Sequence, residues 1–148
     1  MAGEEIAKRV LINALHPARE TGHFTSASPK ITEVCVSLND LRSAFKLLSD
    51  FKSGEFEPGT EISNEQVLLL DSLCKDLLPG EIFSLDDLDV LIHKMARADS
   101  EWNKKSQIVI DRFYTLRSMG KIAEAHEVKN EFISICPSLW YREIVEVL

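Results

Sequence analysis

Apolar residues recur at helical spacing through almost the whole chain. Over residues 4–15, Ile6, Val10, Leu11, Ala14 and Leu15 mark a short amphipathic helix that Pro17 ends. Residues 16–28 carry no sustained period and read as a loop. Ser28 followed by Pro29 has the form of an N-cap with proline at the first helical position. Beyond it Ile31, Val34, Cys35, Leu38, Leu41, Phe45 and Leu48 keep one face, which predicts a helix over 29–53. The β-branched run at 31–36 offers a strand as the rival, but the helical register passes through Ser37 unbroken. Residues 53–61 hold a proline and two glycines and read as a loop.

Two later starts have a specific chemistry. Ser63, with Gln66 three residues on and Ile62 and Val67 at the staple positions, predicts a helix that runs to Leu78, before Pro79 and Gly80. Ser84, flanked by Phe83 and Leu88, predicts another that runs to about Ala98. Its apolar face is Leu85, Leu88, Leu91, Ile92 and Met95. A further helix is expected from about Glu101 to Met119, closed by Gly120. No segment alternates like a half-buried strand with a hairpin turn. The reading is a single all-α domain over 1–148, a bundle of six or seven helices with short connections after residue 62.

The stretch after Gly120 resembles the second helix of a tetratricopeptide repeat. Gly120 stands at the turn, Ala125 follows five residues later, and Pro137 seventeen after the glycine. Other positions depart from that family. Arg112 and Phe113 stand where leucine and a small residue are usual, and Lys129 and Phe132 where an aromatic and alanine are usual. The resemblance covers 106–139 as one degenerate unit, with no second copy. It implies a helical hairpin with Ala125 between close backbones, and a capping helix begun by Leu139, Trp140 and Tyr141. An ordinary α-hairpin, with glycine as cap and proline as terminator, gives the same local shape.

Charge changes this picture more than composition does. With 45% hydrophobic and 28% charged residues the chain is of ordinary globular make-up. Between residues 54 and 101, however, twelve carboxylates face only Lys75, Lys94 and Arg97, a net −9. Since the whole chain totals −7, the remainder is +2. This acidic middle third suggests a docking face for a basic protein, with Asp86, Asp87 and Asp89 as its candidates. A solvated surface whose acids complement helix dipoles is the plainer alternative. Direct nucleic-acid binding is disfavoured because clustered lysines and arginines are lacking. If recognition is apolar instead, Trp140 and Tyr141 are the candidates.

Catalytic signatures are missing. There is no phosphate-binding glycine loop, no H-E-x-x-H and no nucleophile elbow. Asp89 and His93, four residues apart, read as a surface ion pair and not as a metal site. Cys35, Cys74 and Cys136 are odd in number and widely spaced, which suits buried free thiols in a reducing compartment. No cofactor or metal is expected. The longest aliphatic run is residues 67–70, far short of the ~20 that span a bilayer. The N-terminal stretch places acids before bases and lacks the long apolar core of a secretory signal. The function expected is a cytoplasmic, non-catalytic protein-interaction module of adaptor, chaperone-like or regulatory kind. The alternatives are an inhibitor or immunity-type protein that neutralises a basic, nucleic-acid-acting partner, and an enzyme whose site carries no known motif.

Overall fold

A computed structural model describes residues 36–57, 59 and 61–148. These form five α-helices and no strand: α1 (Leu38–Ser53), α2 (Asn64–Leu77), α3 (Leu88–Ser118), α4 (Ile122–Ile135) and α5 (Leu139–Glu146). The helix expected at 4–15, the loop at 16–28 and Cys35 lie outside the described residues, as do residues 31–35 of the strand-or-helix alternative.

Several predicted boundaries hold for the reasons given. Ser63 Oγ accepts from Gln66 N while the Gln66 side chain accepts from Ser63 N, so α2 begins with a full capping box. α1 ends where Gly54 turns left-handed at φ 81, which lets Glu55 N and Phe56 N close back on Asp50 O. At the end of α3, Gly120 at φ 77 makes a Schellman turn. Lys121 N donates to Leu116 O at 2.9 Å and Gly120 N to Arg117 O at 3.0 Å.

Three expectations are overturned. The helix predicted over 29–53 does not pass through Ser37. That residue is extended at φ −76, ψ 150 and caps α1 by accepting from Asp40 N. Ser84 is not a helix cap. It accepts from Asp86 N at 3.3 Å in a local turn, and α3 starts four residues later behind Asp87, whose side chain makes no cap bond. Finally, the two helices expected over 84–98 and 101–119 are one helix of 31 residues. No glycine or proline interrupts 88–118, and Ser100 Oγ returns to Ala96 O at 2.9 Å without leaving the helix.

α3 is the axis of the bundle. Its first half meets α1 and α2: His93 stands edge-on to Phe51 at 5.2 Å, and Lys94 pairs with Glu81 of the preceding loop at 3.0 Å. Its second half meets α4, where Trp102 packs on Phe132 and Phe113 on His126, an antiparallel hairpin. α5 closes the bundle against α1, α3 and α4. Trp140 stacks on Phe45 at 5.2 Å, and Lys129 Nζ donates to Glu146 O at 2.7 Å. The resulting core includes Leu48, Leu73, Ile92, Met95, Phe132 and Val145, each nearly or fully removed from water and worth about 1.5–3 kcal/mol of burial. Ala125 has no exposed surface and lies on the buried side of α4, as the hairpin reading expects.

Candidate functional site

The acids of the middle third serve different ends: Glu55, Glu61, Glu65 and Glu101 are exposed elsewhere on the surface, and two other groups are structurally distinct. One of these is interior. Asp76, on α2, is buried and caps the start of α5: its Oδ2 accepts from Ser138 Oγ at 2.5 Å and its Oδ1 from Leu139 N at 2.7 Å. Ser138 in turn accepts from Tyr141 N at 3.3 Å. Burial pushes the Asp76 carboxyl above its ordinary value of 3.8, outweighing the downward pull of Ser138, Leu139 N and Arg142. Asp99, midway along α3, accepts from Tyr141 Oη and from Lys52 Nζ, tying α5 and α1 to one point. Desolvation, then the Asp99 charge, raises the Tyr141 phenol well above 10.

These contacts decide what two of the predicted partner-binding residues do. Tyr141 is 4% exposed, and its hydroxyl is spent on Asp99. Trp140 is partly buried in its stack on Phe45. Neither presents the exposed apolar patch expected of it; the capping helix they begin is instead part of the core. The side chains around Asp76 are likewise interior. Ser138 is fully buried and Cys136 nearly so. Burial raises the thiols of both Cys74 and Cys136, the reverse of an activated cysteine.

The other is at the surface. The connection from α2 to α3 is held at its ends by apolar anchors, with Leu78 and Phe83 packed against the core and Leu88 inside it. Glu81 N donates to Leu78 O at 3.1 Å, Leu88 N to Leu85 O at 3.4 Å, and the Glu81–Lys94 pair ties the loop to α3. Between these anchors Ile82 is 86% and Leu85 56% exposed. Asp86, Asp87 and Asp89 are exposed around them. Among the described residues no lysine or arginine pairs with these three acids; Asp89 only approaches His93 Nε2 at 3.6 Å. Asp89 and His93 stand close enough to pair when the imidazole carries a proton.

The three aspartates were singled out from charge alone, and they stand together where this loop enters α3, Asp86 and Asp87 before the helix and Asp89 in its first turn. The exposure of Leu85 was missed because it was placed on the apolar face of a helix that begins three residues later. Ile82 was missed altogether; its one signal is an aliphatic side chain directly after a Pro79–Gly80–Glu81 turn. Among the described residues no helix is long and apolar enough to cross a membrane. Compared with protein-family models, curated proteins and solved structures, the chain matches none of them.

Proposed function

We propose that the protein is a non-catalytic interaction module that docks a basic protein partner through the loop before α3. The observation that carries this is the exposure of Ile82 and Leu85 among Asp86, Asp87 and Asp89 on a segment anchored to the core at both ends. Apolar side chains left in water on a held loop supply contact area, and carboxylates without a basic partner among the described residues supply attraction for a cationic surface. The 106–139 hairpin buries Ala125, which suits a tetratricopeptide-type unit and an ordinary α-hairpin alike. Its first helix is the second half of a 31-residue helix, however, and one unit has little concave surface to offer. The loop is therefore the better docking element.

Affinity capture from native lysate tests this, using the natural chain, Asp86→Asn/Asp89→Asn and Ile82→Ser/Leu85→Ser in parallel. A basic protein is expected on the natural chain, lost or much reduced on both variants and released as salt rises. A partner held equally by all three chains, in low and high salt alike, would sink the reading.

A further inference from the structure

The loop between α2 and α3 carries main-chain groups that the fold leaves open. Residues 81–84 form neither helix, turn nor bend. At one end of this straight stretch Glu81 N donates to Leu78 O, and just past the other Leu85 O accepts from Leu88 N. Between them, among the described residues, neither the N–H nor the C=O of Ile82, Phe83 or Ser84 has a hydrogen-bond partner. The bond that Ser84 does make uses its side chain, which accepts from Asp86 N. Main-chain groups in this state are either hydrated or free to pair with another chain.

In a straight run successive residues turn their N–H and C=O to opposite sides. Ile82 and Ser84 therefore share one edge, and Phe83 faces the other way. The edge is already held in place, because Phe83 packs on the core and Glu81 is paired with Lys94 at 3.0 Å. Little chain entropy is then lost when something adds to it. These open groups narrow the form of a basic partner. A helix has its own main-chain groups satisfied and meets Ile82 and Leu85 through side chains alone. An extended segment brings unpaired N–H and C=O groups, so both sets are satisfied together. Beyond the edge the charge is negative: Asp86, Asp87 and Asp89 follow directly, exposed and without a lysine or arginine partner among the described residues.

We propose, on the docking reading above, that the partner presents an extended basic segment that adds as a strand along the edge of Ile82 and Ser84. Its aliphatic side chains meet Ile82 and Leu85, and its lysines or arginines meet the three aspartates. The edge is short, so the main-chain bonds fix direction and register while the aspartates make the complex sensitive to salt.

NMR titration of the full chain with a short, capped peptide of alternating lysine and valine tests this. At low salt the peptide is expected to slow hydrogen exchange severalfold at the Ile82 and Ser84 amides and to leave the Phe83 amide unchanged. Raised salt should release it, and the same peptide with glutamate in place of lysine should not bind. Ser84→Pro removes one donor from the edge and should weaken binding severalfold. It also favours an extended Phe83, which suits this stretch. Ser84→Ala loses only the hydroxyl and should bind as the natural chain does. Melting temperatures verify that both variants keep the fold. A lysine peptide that leaves all three amides unprotected overturns the proposal, as does one that protects them equally or protects Phe83 alone. Equal binding to Ser84→Pro and Ser84→Ala overturns it as well. The docking reading has its separate test in the lysate capture: a basic partner lost on Ile82→Ser/Leu85→Ser, with the Ile82 and Ser84 amides of the natural chain unprotected by the peptide, refutes the strand and leaves the docking surface standing.

Discussion

Asp76 shows at the level of one residue how a sequence-level charge becomes a structural part. It accepts from Ser138 Oγ and Leu139 N, so it satisfies two donors at the start of α5, where a negative charge also complements the helix dipole. Asp76→Ala leaves both donors in a buried site and is expected to lower unfolding free energy by about 2–4 kcal/mol, read from urea midpoints. Asp76→Asn keeps one carbonyl acceptor and should cost less. The pH dependence distinguishes the carboxylate from its amide. Because burial raises the folded carboxyl above 3.8, the folded chain holds that proton to higher pH than the unfolded chain does. The stability Asp76 adds relative to Asn is therefore greatest below about pH 3.8 and declines as pH rises through the folded value. Paired urea titrations at pH 4 and pH 7 check this, and a difference that grows with pH would contradict it. Tyr141→Phe removes only the hydroxyl that Asp99 accepts. A loss of about 1–2 kcal/mol is expected.

Among elements, the starts and stops were legible where a local signal was complete, and α3 shows where it was not. The box at Ser63 and Gln66 and the glycines at 54 and 120 each act within six residues, so the chain spells them out. The continuity of α3 is hidden because its inward stripe is not purely apolar. Met95, Asp99, Trp102, Ser106, Ile110 and Phe113 keep the helical register, yet Asp99 and Ser106 interrupt the apolar pattern. Asp99 can face inward because Tyr141, 42 residues away, and Lys52 supply its partners. Ser106 satisfies itself on Asn103 O at 2.8 Å. The same distance hid the Asp76 clamp, whose partners lie 62 and 63 residues downstream. If α3 is continuous, Ser100→Pro removes a backbone hydrogen bond and drives the ring into Ala96 O, costing about 3 kcal/mol or more. A proline tolerated there would mean a loop between two helices. Ala125→Leu tests the hairpin in the same way. A fully buried methyl replaced by a larger side chain should lower stability by about 1–3 kcal/mol, measured by chemical denaturation.

For the molecule as a whole, the acidic stretch matters through its division and not its total. Asp76 and Asp99 are absorbed into the fold, and Asp71 is held by Lys75 at 2.6 Å. Under the docking proposed above, the field nearest the α2–α3 loop comes from Asp86, Asp87 and Asp89, beside Ile82 and Leu85. Two kinds of force then act at different stages of one encounter. Exposed charges act at a distance and raise the rate of productive collision, while apolar contacts form only on docking and hold the complex together. Stopped-flow or surface-based kinetics with the captured basic partner should therefore separate the two variants. Asp86→Asn/Asp89→Asn should slow association severalfold and flatten its dependence on salt, with little change in dissociation. Ile82→Ser/Leu85→Ser should leave association nearly unchanged and speed dissociation about tenfold or more, since a fully buried aliphatic side chain is worth about 1.5–3 kcal/mol. Both pairs are exposed, so their melting temperatures should stay within a degree or two of the natural chain's. If the charge variant acted on dissociation and the apolar variant on association, the loop would not be the surface that first meets the partner.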